Sequence, residues 1–217
     1  DKRGTVPPHI FEREYLAEVP DDGGDVFRDL DSKVFTGEYA VITSQEYDPG
    51  GEFIGEVRRD PGDVPGPCSI GVDFARSRDY RVTLAVDGYG DLAYYHRAQN
   101  ESWDAIDDHV RGVYETYGGL IVPDASRDNK IVADLAGDGL PVEPISFSPK
   151  TKKNLIETLA TLVEGGDLTV PDVEALDQLH LELRQLKEDV SKSGYTRYHA
   201  PDNGHDDSVD AYALAVS

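Results

Sequence analysis

Cys68-Ser69-Ile70-Gly71-Val72-Asp73-Phe74-Ala75 is an apolar run with one carboxylate set inside it. Prolines precede it and polar residues follow, so it reads as a buried strand over 69–74. An ionised aspartate inside such a strand is costly unless it is paired or holds a cation. Outward from it, 80–86 and 92–97 run or alternate apolar, and Asp87-Gly88-Tyr89-Gly90-Asp91 between them is turn-forming. The three segments predict an antiparallel meander. Ser102 is a good N-cap for a helix carrying Trp103, Ile106, Val110, Val113 and Tyr117 at helical spacing, stopped by Gly118-Gly119.

Beyond that helix the pattern changes to alternating short strands and helices. Leu120-Ile121-Val122-Pro123 predicts a strand ending at Asp124, then a helix over 129–135 and a strand over 142–147. Helices are expected over 148–164, closed by Gly165-Gly166, and over 172–186. A late strand over 195–199 and a helix over 205–216 complete the chain. A meander followed by β–α–β crossovers implies an α/β fold with a mixed central sheet flanked by helices. That order of elements is the RNase H-like one, reached without any motif. Residues 68–217 are expected to form this domain. Residues 1–67 are rich in Pro, Gly and Asp and read as an arm or linker, with a short helix over 9–17. A chain that opens at Asp1 and contains no methionine is expected to be a piece of something longer.

Composition narrows the function. Hydrophobic residues make up 38%, low for a globular chain, yet they fall in clean runs, so the chain is read as folded. No apolar run is long enough for a membrane span, and no signal-peptide pattern opens the chain. The single cysteine, Cys68, excludes an internal disulfide and a cysteine-based zinc site, and reads as a buried small residue. Acidic residues number 43 against 21 basic ones, a net charge of −22, which by itself argues against a nucleic-acid partner. The favoured alternative is adaptation to concentrated salt, where a Debye length of about 3 Å removes long-range repulsion. DNA binding would then depend on local basic clusters.

Three groups of aspartates stand where chemistry can be built. Asp73 lies in the first strand, Asp124 just past a later one, and Asp206, Asp207 and Asp210 at the head of the last helix. Asp207 and Asp210 share a helix face. The rest of that helix is small and apolar and is expected to pack on the sheet. Each aspartate taken alone is an ordinary turn or cap residue, and acids at a helix start are favoured by its dipole. Together, such oxygen donors suit Mg²⁺ or Mn²⁺ rather than zinc, and two such ions can drive phosphodiester hydrolysis.

The motifs resemble those of the nuclease domain of viral terminase large subunits, from tailed phages and haloarchaeal viruses. Gly71-Val72-Asp73-Phe74-Ala75 with Ser77-Arg78-Asp79-Tyr80 is similar to the first motif of that family, and Ile121-Val122-Pro123-Asp124 to the second. His205-Asp206-Asp207-Ser208-Val209-Asp210-Ala211 resembles the closing one. Ser148-Pro149-Lys150, Gly166-Asp167-Leu168-Thr169-Val170-Pro171 and Leu181-Glu182-Leu183 resemble the stretch between. Upstream, Phe11-Glu12-Arg13-Glu14-Tyr15-Leu16 looks like the junction after the family's ATPase domain.

The resemblance implies a two-metal endonuclease using Mg²⁺ or Mn²⁺ that cuts concatemeric double-stranded viral DNA during genome packaging. Asp73, Asp124 and Asp207 would be the catalytic metal ligands, with Asp206 or Asp210 substituting or assisting. His205 would orient a ligand or contact DNA, or only cap the helix. Arg76, Arg78, Lys150, Lys152 and Lys153 would meet phosphates, or be ordinary solvated charges. Asp79 and Asp128 read as turn residues. The expected partners are DNA, the portal protein and the small terminase subunit, in the cytoplasm of a salt-rich host cell. No Gly-x-x-x-x-Gly-Lys-Ser/Thr loop is present, so this piece is not the ATP-driven motor. Two rivals share parts of the reading: another RNase H-like enzyme such as a junction resolvase or transposase, told apart by branched-DNA preference or strand transfer, and a non-catalytic interaction domain, told apart by a lack of Mn²⁺ binding.

Overall fold

The structure, a computed structural model, describes residues 26–47, 53–74, 80–126, 129–191, 194–202 and 204–217. Six strands form one mixed sheet: β1 (Ile42–Tyr47), β2 (Phe53–Arg58), β3 (Cys68–Asp73), β4 (Arg81–Val86), β5 (Leu92–Ala98) and β6 (Gly119–Pro123). Their spatial order is β1-β2-β5-β4-β3-β6. Only β3 and β6 run parallel; every other pair is antiparallel. The meander is β3-β4-β5, as the alternation predicts. The return from β5 to a strand beside β3 needs a crossover, and α2 (Trp103–Tyr117) supplies it, after α1 (Leu30–Lys33). Ser102 starts α2 by accepting a hydrogen bond from Ala105 N at 3.2 Å. At its end Gly119 takes φ 98°, and a Cβ there would stand 1.6 Å from Cys68 O. Glycine is therefore required where β6 settles against β3.

The faces of the sheet carry two cores. On one, Ile70, Val72, Ala85, Tyr94 and Ile121 meet α2 and α3 (Asn129–Gly137). On the other, Val82, Leu84, Tyr95 and Val122 meet α4 (Pro149–Gly165), α5 (Asp177–Gln185) and α6 (Asp207–Ala215). Strands β7 (Lys187–Val190) and β8 (Thr196–His199) form a separate antiparallel ribbon. No helix of the described residues is long and apolar enough to cross a membrane.

Three local expectations need correction. The segment before Cys68 is not merely an arm. Its described part adds β1 and β2 to the sheet and buries Val26, Phe27, Leu30, Val34 and Phe35 in the core. Backbone bonds bind it there, Val170 N to Val34 O at 2.8 Å and Gly37 N to Val170 O at 3.0 Å. The 142–147 segment forms only isolated bridges, Val142 to Ile121 and Ile145 to Asp124, because Pro123 of β6 has no N–H to give Glu143 O between the bonds Glu143 N to Ile121 O and Ile145 N to Pro123 O. The 172–186 helix begins as a 3₁₀ turn at Glu174–Leu176 and becomes α-helical at Asp177. The expected helix over 9–17 lies outside the described residues.

A candidate metal centre at the parallel strand ends

The site is set by how closely α6 approaches β3. Along the strand, Gly71 and Asp73 point to the same face, two residues apart. Gly71 meets the helix backbone directly: a Cβ would stand 2.0 Å from Ala211 O and 2.6 Å from Ala215 N. Asp207, Ala211 and Ala215 lie one turn apart on a single stripe of α6. With Ala211 against Gly71, the turn before it sets Asp207 toward the end of β3, where Asp73 is. The small residues the sequence places on this helix are what permit that contact.

Asp124 arrives through the sheet. The parallel register pairs Val72 with Pro123, so Asp73 and Asp124 are the next positions on adjacent strands. Asp124 N donates to Val72 O at 2.8 Å, which continues the ladder to the carboxylate. Asp73, 9% exposed, is thus surrounded. Burial drives its carboxyl well above the usual range, and Asp210, Asp207 and Asp124 push it the same way while Lys152 opposes them. No described residue donates a hydrogen bond to that carboxyl. Burial raises Asp210 too, against the pull of Lys152.

Each of the other acids has a partner within the chain. Lys152 Nζ reaches Asp210 Oδ2 at 2.6 Å and Asp206 Oδ2 at 2.8 Å. Burial lowers the affinity of that ammonium for its proton, but Asp210 and Asp206 outweigh it and hold the pKa above the ordinary lysine value. Asp207 Oδ2 stands 3.4 Å from His205 Nδ1 and accepts from Tyr80 N at 3.4 Å. The bond to Asp207 raises the pKa of His205. Asp124 Oδ1 accepts from Ser126 N at 2.9 Å and from the Ser126 hydroxyl.

With their oxygens turned to these partners, no group of three acidic, histidine or cysteine side chains among the described residues stands ready to share one ion. The donor set nevertheless fits a hard cation. Asp210 Oδ1 is buried and has no hydrogen-bond partner, Asp73 is buried among three further aspartates, and every candidate donor is a carboxylate oxygen. The positive charge now inside the cluster is the ammonium of Lys152.

Asp124, Asp207 and Asp210 all lie near enough to Asp73 to raise its pKa, and Asp206 shares Lys152 with Asp210. Lys152 is placed differently from expectation. It turns inward to the acids, because α4 packs along α6, and is not offered to phosphate. Lys153 pairs with Glu157, and Lys150 is exposed. Arg76 and Arg78, with Asp79 and Asp128, lie outside the described residues. The sequence reading missed Ser126 and Tyr80 as partners of the acids. An Asp-x-Ser step after a strand is a recognisable turn signal; the Tyr80 contact, through backbone N–H, leaves none.

A mixed sheet with one parallel pair, a helix laid on β3 and β4 and carboxylates at the parallel strand ends defines an RNase H-like domain. No protein-family model matches the chain. The large terminase subunit of Thermus phage G20c is 28% identical over 228 aligned residues, covering all of this chain and 42% of that protein. The G20c large terminase nuclease with bound magnesium superposes with a TM-score of 0.68 at 26% identity, over 91% of this chain and 98% of that one. The nuclease domain of Thermus phage P74-26 gives 0.65 at 26%, over 88% and 94%. The G20c nuclease is also known with cobalt and with zinc. The chain is similar over its whole length to these large terminase subunits and spans about two fifths of the length of the curated relatives it matches.

Proposed function

We propose that this chain is a divalent-metal-dependent endonuclease domain that cuts double-stranded viral DNA during packaging. The observation that carries the reading is Asp73. It is a buried carboxyl at the end of β3, with no hydrogen-bond donor among the described residues and three further aspartates around it. Such an arrangement has no purpose in stabilising the fold, because it concentrates repulsion. It gains one if cations enter. The magnesium-bound relative of the same fold supports this.

In this reading Asp73, Asp124 and Asp207 hold the ions, and Asp210 and Asp206 become available as Lys152 gives way. Two Mg²⁺ or Mn²⁺ ions would supply charge stabilisation at the scissile phosphate and ready a water for attack. His205 keeps Asp207 oriented. Lys150 on the exposed start of α4, with Lys153, Arg76 and Arg78, meets the DNA backbone. The net charge of −22 makes these local cations necessary. The relatives are proteins of Thermus phages and lend no support to a salt-rich host. The portal protein and the small terminase subunit are the proposed partners of the full-length protein, in the cytoplasm of the infected cell.

The test is plasmid cleavage by this chain with Mn²⁺ across a salt series. Wild type is expected to cut, and Asp73→Ala and Asp124→Ala to lose cutting while keeping a cooperative melting transition. Persistent metal-dependent cleavage by either variant refutes the assignment.

A further inference from the structure

Glu182, in α5, has 2% of its surface exposed, and nothing in the site as described uses it. A buried carboxylate is stable only where charge and hydrogen bonds compensate it. Here the compensation leads straight to α6. Glu182 Oε2 accepts from Ser208 N at 2.7 Å, and Oε1 accepts from Gln178 Nε2 at 3.1 Å. Arg97 Nη2 stands 3.6 Å from Oε1. The Arg97 guanidinium lies 3.3 Å over the Tyr80 ring, and that ring meets His205 edge-on at 5.2 Å. Tyr80 N in turn donates to Asp207.

Ser208 is the second residue of α6, where a helix has backbone N–H groups without intrahelical partners. The N-cap residue, Asp206, does not satisfy them: it makes no side-chain cap bond, and its carboxylate is bonded to Lys152. Glu182 does so from a different helix. The Ser208 hydroxyl is also held, by Tyr95 OH at 3.0 Å. Asp207 and Asp210 flank Ser208, one residue before and two after. Any slip or rotation of the helix head moves both carboxylates together relative to Asp73, which is anchored in the sheet.

We propose that Glu182 is a positioning residue for cation binding: by capping α6 from α5 it sets where Asp207 and Asp210 stand against Asp73. This rests on the nuclease reading above. The test measures Mn²⁺ binding to this chain by titration calorimetry, beside its melting temperature without metal. Glu182→Asp withdraws the carboxylate by one methylene and is expected to weaken Mn²⁺ binding by about tenfold or more. Glu182→Gln keeps an oxygen for Ser208 N and is expected to stay within about threefold of wild type. Val110→Ala, in the core on the opposite face of the sheet, should lower the melting temperature and leave Mn²⁺ affinity unchanged. If Glu182→Asp does not fold, Tyr95→Phe loosens Ser208 more gently and should weaken binding by about twofold to threefold.

Wild-type affinity in the folded Glu182→Asp variant, or in Tyr95→Phe where that stands in, overturns the proposal. If Asp73→Asn still loses Mn²⁺ in the same experiment, the nuclease reading survives that failure. A wild-type chain that binds no Mn²⁺, or binds it no better than Asp73→Asn, overturns both.

Discussion

Gly71→Ala tests whether close contact between α6 and β3 is what builds the site. The added Cβ would stand 2.0 Å from Ala211 O, with Ala215 N at 2.6 Å. Ordinary contact needs about 3.5 Å, so the helix must retreat by roughly 1.5 Å or the strand must bow. Both neighbours are backbone atoms inside a buried helix, so no side chain can rotate away. Overpacking of this kind costs about 3 kcal/mol at the upper end of its usual range. For a chain of this size that is a fall of roughly 6–12 °C in melting temperature. The same retreat carries Asp207 and Asp210 away from Asp73, and misplacement of about 1 Å at a reacting centre can cost on the order of a hundredfold in rate. Calorimetry in EDTA gives the first quantity. Mn²⁺-dependent plasmid cleavage, well below both melting temperatures, gives the second. A Gly71→Ala chain that melts and cuts like wild type refutes the geometry argued for the site.

Two further expectations follow from charge. His96 is half-buried, bonded to Arg81 at 2.9 Å and tilted against His109 at 4.3 Å, and desolvation, with Arg81, lowers its pKa to about 4. The unfolded chain takes up that proton below about 6.5, so the contribution to stability is complete above 6.5 and lost as pH falls toward 4, by about 3 kcal/mol. Asp73 works in the opposite sense, since its raised pKa makes the folded chain less stable as pH rises. The measurement is therefore the difference between wild type and His96→Gln, which should shrink between pH 6.5 and 4; a constant difference contradicts it. Lys152→Ala removes the ammonium bonded to Asp206 and Asp210 and should cost about 3 kcal/mol in EDTA. Saturating Mn²⁺ should restore most of that stability, and an equal loss with and without metal would show that Lys152 does not stand in for a cation.

Much of this was legible because the decisive elements are buried on both sides. β3 reads as an apolar run, β4 as one that alternates at its start, and α6 as a helix of small residues, since packing left little polar face to blur them. Asp73 stood out for the same reason. The edges were hidden. β1, Ile42-Thr43-Ser44-Gln45-Glu46-Tyr47, lies at the border of the sheet, where hydrogen bonds to β2 hold it without an apolar stripe. β7, Lys187-Glu188-Asp189-Val190, is mostly exposed and paired only with β8, so its composition matches a loop. The site's supports were hidden too. Lys152 reaches across 54 residues to Asp206, and Glu182 across 26 to Ser208. No local pattern encodes such contacts, because they depend on α4 and α5 both packing against α6.

The most direct trial of the account is a crystal of this chain soaked in Mn²⁺ and recorded at the manganese edge. Anomalous peaks are predicted within about 2.0–2.3 Å of carboxylate oxygens of Asp73 together with Asp124 and of Asp207 or Asp210, with Lys152 displaced from the cluster. Manganese bound elsewhere, or no peak while Lys152 keeps both its carboxylates, would contradict it.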